Sequence, residues 1–539
     1  MTIRRSISLA AIAVAGALAL SACASTAPST NASAAATPVA GGDLTFAIGT
    51  DPVSLNPSGV GSGNNTWYVT RQLVDSLLYQ NPDTGELQPW LATSYEANAD
   101  ATVFTFHLRE GVTFSDGTPF TAASVKGTFD DIVAAGAASG ITAGYITGYD
   151  KTVVVDDHTA EVHFTKPNAA FPNSTAFVGL GIVGAATLAV PFDQRSDGKA
   201  VVGTGPFTLD SYTKDVSTVL RKRADYAWGP AALGNSGAPY LDSVTFQVVP
   251  EASVRTGSLE SGQVDVIAGV QPADADVLEG DGHPLVWRGN PGLSFGLGFN
   301  EQRVSDPTVR EAIARGIDSA QVRDTVLNDR FAVGTSALAK NTPGWADESA
   351  AYAYDPKRAA QLLDAAGWVA GADGIRAKNG QPLSLKLTWS ANFGPNQTAL
   401  ELVQQQLKAV GIDVQLVQTS LADYIQIATS GDFDLSWGNL SRADGDVLRT
   451  NFSTDATNYD RIDDPTLEAL LQKQLVPGDT AARNAVLADV QARIASQYHY
   501  IPVFELTSIF GTQANVHGVT LGADSRLNPL LATWIQPAS

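Results

Sequence analysis

Between Leu383 and Trp437 the chain spells out strand, helix, strand, helix, strand with short connections, and that order leaves few folds open. Leu383, Leu385 and Leu387 alternate with the period of a strand. Leu400, Val403, Leu407 and Val410 then fall at helical spacing and stop at Gly411. Ile412, Val414 and Leu416 make a second strand, 421–428 a short helix ending near Gly431, and Phe433, Leu435 and Trp437 a third strand. Such alternation is the signature of an open α/β sheet. Ligands of these sheets sit in the crevice beyond the carboxyl ends of the strands. Two loops leave those ends here, Trp389 to Asn392 and Gly438 to Asp446, and each is polar with an aromatic beside it. Upstream, Asp306-Pro307 and Asp355-Pro356 each place a capping carboxylate before a proline at the first helical position, and Gly367 closes the second of those helices. The body opens with a strand at 44–48, a Gly/Asn/Ser loop over 59–65 and a helical pattern over 67–78. Strand alternation recurs at Phe104 and Phe106 and at Val153 and Val155, with a helix predicted over 121–132.

Acidic residues outnumber basic ones by 55 to 34, and the net charge of −21 argues against a nucleic-acid partner. With 44% apolar and 17% charged residues, a large core is expected. The N-terminus carries Arg4 and Arg5, then an apolar run from Ile7 to Leu20, too short for a spanning helix of about 20 residues. It ends in Leu20-Ser21-Ala22-Cys23, which looks like a bacterial lipobox. Such a signal implies cleavage after residue 22 and two acyl chains on Cys23, enough for stable anchoring to the cell membrane. Cys23 is the single cysteine of 539 residues, so no intramolecular disulfide can form. The Ala/Ser/Thr/Pro-rich stretch that follows, to residue 40, reads as a flexible tether. The paired arginines leave the export route open.

Several segments, in order, resemble the family-5 extracellular solute-binding proteins of ATP-driven (ABC) importers, a group of dipeptide, oligopeptide and nickel-chelate binders. They are Leu87 to Glu96 (LQPWLATSYE), Phe104 to Pro119 (FTFHLREGVTFSDGTP), Val202 to Phe207 (VGTGPF), Asp306 to Asp318 (DPTVREAIARGID) and the helix after Asp355. The resemblance implies an α/β, two-lobed periplasmic-binding-protein fold (type II, cluster C) with an extra subdomain inserted in lobe I. Carried over, lobe I comprises 41–80, 203–298 and 507–539, the inserted subdomain 81–202, and lobe II 299–506. It also implies that Asp444 pairs with the α-ammonium group of a peptide, through a charge-assisted bond in a dry cleft. The backbone of Leu440, Ser441, Arg442 and Ala443 would add to an extended ligand strand. Dipeptide binders of that family usually carry Asp-Tyr or Asp-Asn-Gly-Asp where this chain has Arg442-Ala443-Asp444-Gly445-Asp446. Three readings of Arg442 stand open: it holds an anionic group of the ligand, it neutralises Asp446, or it is a solvated surface arginine, as lone arginines mostly are. Ser62, Asn64, Asn65, Trp67, Tyr145 and Tyr149 fall in segments that face the cleft in the resembled fold. Trp389 and Trp437 are selected twice, by the resemblance and by the sheet-edge argument.

Other motifs carry little. Gly292-Leu293-Ser294-Phe295-Gly296 satisfies GxSxG, but Leu293, Phe295, Leu297 and Phe299 alternate straight through the serine, which is a strand and not a nucleophile elbow. Gly179 to Gly184 satisfies GxGxxG, yet Pro191 leaves almost no helix behind it. His158 and His163 fall on opposite faces of a strand pair, and Asp130-Asp131 and Asp463-Asp464 suit helix ends and caps. The expectation is therefore a monomeric, lipid-anchored binder with no catalytic residue, cofactor or metal, which captures a short peptide for a permease. The alternatives are a non-peptide solute (metal chelate, opine or glycoside), a module that presents solute to a sensor, and a surface-anchored α/β hydrolase.

Overall fold

The computed structural model describes residues 37–59, 63–391, 393–476 and 479–537. Cys23, Ser62 and Asn392 lie outside them.

In chain order the elements that build the site are strand β1 (Asp43–Ile48) and helix α1 (Asn64–Thr70). Next come β2 (Ala92–Ala97), β3 (Val103–Leu108), α2 (Ala122–Ala135), β4 (Tyr149–Asp156) and β5 (Thr159–Phe164). Then follow β6 (Phe207–Thr213), β7 (Ser217–Lys222), β8 (Ser243–Val248), β9 (Val266–Ala268), β10 (Leu285–Gly289) and β11 (Gly292–Phe299). The later part holds α3 (Pro307–Gly316), α4 (Pro356–Ala365), β12 (Ser384–Ser390), α5 (Asn396–Ala409), β13 (Asp413–Thr419), α6 (Leu421–Ser430) and β14 (Leu435–Ser441). It ends with α7 (Val447–Phe452), α8 (Pro465–Lys473), α9 (Thr480–Gln497), β15 (Tyr500–Phe504) and β16 (Thr507–Thr512).

Three sheets of four or more strands result among the described residues. The first runs β10-β16-β9-β1-β8-β7-β6, with β1 parallel to both of its neighbours. Its interior follows the alternation of Leu44, Phe46 and Ile48: the Phe46 ring lies 5.4 Å from Phe246 and 5.5 Å from Phe510. An antiparallel sheet, β2-β3-β5-β4, is built wholly from the segment inserted between β1 and β6. The remaining sheet runs β13-β12-β14-β11-β15. Its β13-β12-β14 part is parallel, joined by α5 and α6, which is the alternation read from 383–437. The Asp306 and Asp355 side chains accept the backbone N–H groups of Thr308 and Arg358, as their Asp-Pro pairs predict.

The chain crosses from the first sheet to this one at Asn290-Pro291 and returns at Glu505-Leu506. The first crossing thus precedes the boundary placed after 298. All eight residues of β11 are buried, and the strand lies between β14 and β15, so it belongs with the second lobe. The Asn290 backbone N–H donates to the Leu506 carbonyl at 2.6 Å, which ties the crossings together. Gly292 sits at φ 109°, where a Cβ would come 2.2 Å from the Leu440 carbonyl oxygen, so only glycine fits.

The helix expected over 67–78 stops at Thr70. The carbonyls of Gln72 and Leu73 accept instead from Phe207 and Gly205, two residues of the VGTGPF segment. A Cβ at Gly205 would lie 2.4 Å from the Leu73 backbone, so this close approach replaces helical bonding. Leu73, Val74 and Leu77 remain buried all the same. The inserted segment also reaches the second lobe: the Ala169 N–H donates to the Leu475 carbonyl at 2.9 Å, and Lys166 Nζ lies 3.4 Å from Asp455. Ser294 of the GxSxG pattern is 1% exposed and donates to the Ser336 carbonyl, as a strand residue.

One buried ionic knot secures α8 and α9. His499 is held between Glu301 (Nδ1 to Oε1, 2.5 Å) and Asp464 (Nε2 to Oδ2, 3.0 Å). Asp464 also takes Arg493 Nε at 2.7 Å and caps α8 by accepting from Thr466 and Leu467. Burial raises the Asp464 pKa, but the bonds from Arg493, His499 and the cap outweigh it and hold the carboxyl well below the usual range. A depressed carboxyl contributes stability above its unfolded pKa of about 4, and that contribution is lost as pH falls toward the folded value. Replacing Asp464 with Ala is expected to cost about 2–3 kcal/mol at pH 7, a cap plus a charged hydrogen bond, and less at pH 3, measured by urea unfolding at both pH values.

Candidate functional site

The two lobes and the inserted segment converge on a small chamber. Its cavity volume is about 50 Å³. Trp67 and Arg71 come from α1 and its exit, Tyr145 and Phe177 from the inserted segment, Arg442 and Asp444 from the loop after β14, and Asp524 and Arg526 from the C-terminal segment. A larger chamber of about 620 Å³ adjoins it, and Gln80, Asn173, Ala443 and Ala523 line both. Arg288, Lys340 and Arg483 add positive charge to the outer chamber, and Asp83, Glu86 and Asp479 add negative charge.

The loop after β14 is charged and almost entirely buried, which demands pairing. Asp444 is 3% exposed, and Arg483 of α9 grips both of its oxygens, at 2.8 and 2.6 Å. Asn173 Nδ2 and the Asp446 N–H also donate to it, at 2.6 and 2.8 Å. Burial raises the Asp444 pKa, yet the charge and hydrogen bonds of Arg483 prevail and hold it at about 2. Asp446, 1% exposed, takes Arg449 through two bonds of 2.8 Å and Gln474 through one of 2.7 Å. Arg442 Nη2 lies 3.4 Å from the same carboxylate. Three guanidinium groups therefore share two carboxylates, and Arg442 holds the excess charge. Its Nε has no hydrogen-bond partner among the described residues, and its guanidinium rests 4.1 Å above the Tyr145 ring. Tyr145 stacks in turn on Phe177, with centroids 4.2 Å apart.

A second cation–aromatic pair faces it. Arg526 lies 4.3 Å over Trp67, donates to Asn64 Oδ1 at 2.9 Å and meets Asp524 at 3.1 Å. Arg71 is anchored on Ser76 and the Ala176 carbonyl, both at 2.8 Å, and burial pushes its pKa down to about 10. The chamber thus presents, among the described residues, one under-paired guanidinium on an aromatic face, an arrangement suited to a planar anion.

Of the residues expected at the site, Trp67, Tyr145, Arg442, Ala443 and Asp444 line the chamber. Asn64 supports it through Arg526, and Asp446 lies behind it. Asn65 turns away to Thr50 Oγ1, at 2.8 Å. Ser441 is the last residue of β14, and its hydroxyl accepts from Asn290 Nδ2 of the crossing at 3.1 Å. Trp389 and Trp437 are interior: they are 4% and 2% exposed and pack in the core of the second lobe, because both point to the α5 face of the sheet. The Asp444 carboxylate expected to await an ammonium group is occupied by Arg483. Backbone for strand addition is also largely in use: Ser441 and Leu440 pair with Gly292 and Leu293, Arg442 N–H donates to Pro291, and the Ala443 carbonyl accepts from Gln80. Sequence reading missed Arg71, Asn173, Arg483 and Arg526. Asn173, Arg483 and Arg526 lie far along the chain from the residues they join, Arg71 follows Trp67 by one helical turn, and no local motif marks any of them.

Two lobes joined by a double crossing, with a polar chamber between them, define a solute-binding protein. The model of the bacterial extracellular solute-binding proteins, family 5 Middle, matches residues 86–459, and the chain belongs to that family. It is 27% identical over 391 residues to the glutathione-binding protein GsiB of Escherichia coli, covering 69% of each chain. It is 26% identical over 481 residues to the dipeptide-binding protein of the same organism, covering 83% of this chain and 86% of that one. Among solved structures it resembles NikA from Brucella suis in complex with Fe(III)-EDTA, with a TM-score of 0.80 and 26% identity over 92% of this chain and all of that one. These relatives are named for what they bind, and none for a reaction.

Replacing Arg483 with Leu strands Asp444 in the interior without a counter-ion. The expected result is a loss of about 3–5 kcal/mol, read by urea unfolding.

Proposed function

We propose that this chain, an extracellular solute-binding protein of an ABC importer, captures a small carboxylate-bearing solute on Arg442. The observation that carries this reading is the charge imbalance at the chamber wall, where Arg442 keeps an Nε unpartnered among the described residues beside an aspartate that already takes three bonds from Arg449 and Gln474. A ligand carboxylate can take two parallel bonds from a guanidinium, and the buried wall around Arg442 strengthens them. A short peptide is then held by its C-terminal carboxylate, not by its ammonium group at Asp444. Glutathione, agropinic acid and EDTA, which appear in the names of relatives, all carry carboxylates. Closure of the lobes about the double crossing would seal the solute and present the closed form to a permease.

Native mass spectrometry of the purified chain identifies the co-purified solute, and calorimetry then compares that solute with its carboxamide analogue. Arg442→Gln is expected to weaken the carboxylate form by about 2–5 kcal/mol and to leave the weak amide form nearly unchanged. Equal affinity of wild type and variant would remove Arg442 from the site.

We further propose that Cys23 carries the lipid that keeps the protein at the membrane, on the strength of the Leu20-Ser21-Ala22-Cys23 sequence. No helix among the described residues is long and apolar enough to cross a membrane. Cys23→Ser should release the protein into the soluble fraction and remove the diacylglycerol mass from its N-terminus.

A further inference from the structure

A separate cavity of about 250 Å³ lies within the second lobe, and it shares no lining residue with either chamber of the cleft. Its floor is the face of the sheet opposite α5, formed by Thr388 and Ser390 of β12 and Ser436 and Gly438 of β14. The alternate residues Leu387 and Leu435 point the other way, into the core. Helix α6 roofs the cavity, with Ala428 its one buried residue and Leu421 and Ile425 44% and 47% exposed.

The lining has a definite chemistry. Among the described residues Asp460 is its one charged side chain, no Lys, Arg or His lines it, and Tyr424, Phe452, Tyr459 and Tyr500 supply rings. The nearest side-chain hydrogen bond to Asp460 is that of Ser436 Oγ, at 3.5 Å. Thr388, 1% exposed, has a hydroxyl with no hydrogen-bond partner among the described residues, and so has the buried amide nitrogen of Asn451. Unpartnered buried polar groups are costly, and sites built to receive a ligand are where they recur. Burial and the charge of Glu301 push the Asp460 pKa up to about 7, against the opposing pull of Ser436 and Arg461.

We propose that this cavity is a second binding site, independent of the cleft, for a small organic ammonium ion whose charge sits on Asp460 and whose hydrocarbon lies against the tyrosine rings. The ammonium supplies the positive charge that the lining lacks, and phenol faces attract cations as well as apolar groups. The hydroxyl of Thr388 and the amide of Asn451 then meet polar atoms of the ligand. An anion finds no base there, and a neutral molecule leaves the carboxyl without a partner.

The test is calorimetry of the full chain with tyramine, and with p-cresol as its uncharged analogue. Tyramine should bind wild type and Arg442→Gln alike, with p-cresol at least tenfold weaker. Asp460→Asn should weaken tyramine at least tenfold while leaving the binding of the cleft solute unchanged. Tyramine affinity should also rise from pH 6 to pH 8 as Asp460 ionises, an arm that needs no variant. Around Asp460 the other titratable or charged groups are Glu301 (itself bonded to His499), Arg461, Tyr424, Tyr459 and Tyr500. No heat with millimolar tyramine, equal binding of p-cresol, or unchanged binding in Asp460→Asn would overturn the proposal.

Discussion

The side-by-side crossings at Asn290-Pro291 and Glu505-Leu506 are the constraint on which the rest of the molecule depends. Asn290 is bonded in three directions: its N–H to Leu506 of the return crossing, its Oδ1 to the Ser508 hydroxyl, and its Nδ2 to the Ser441 hydroxyl. Ser441 immediately precedes Arg442, so the crossing and the chamber-lining guanidinium are one residue apart. Gly292 keeps that geometry tight by letting β11 run against the Leu440 carbonyl. A change of lobe angle therefore has a short mechanical route to Arg442.

The electrostatics follow from the same placement. Buried carboxylates in a low-dielectric wall must be neutralised, and Arg483 and Arg449 do this for Asp444 and Asp446. Once those pairs are formed, Arg442 has no full partner on its own lobe. It reaches across the cleft to the face of Tyr145, which belongs to the inserted segment. That contact joins the two sides through a ring and a charge, both of which a planar anion can also engage.

Much of the fold was legible in the sequence because it is local. The alternation of Leu383 to Leu387, the helix ending at Gly411 and the Asp-Pro caps are short-range signals, and the elements stand where those signals put them. The helix after Trp67 was overread because its apolar pattern continues past Thr70, while the backbone there is claimed by Gly205 and Phe207, far away in sequence. The site was half legible. Arg442, Asp444, Trp67 and Tyr145 do converge, but the role of Asp444 depends on Arg483 and Asn173, which no spacing rule links to it. Trp389 and Trp437 stand near strand ends, where both the resemblance and the sheet-edge argument put the site. Side chains alternate across a sheet, and theirs face the packed side.

The clasp between the inserted segment and the second lobe bears on how large a solute can be. Ala169 borders the outer chamber, and its N–H is bonded to Leu475 across the gap. A solute confined to the inner chamber leaves that bond intact. A longer one that fills the outer chamber must end before it reaches Ala169, or must part a backbone hydrogen bond to pass. On the proposed reading, the upper limit on solute length would then be set by this backbone strap, and the preference for charge by Arg442.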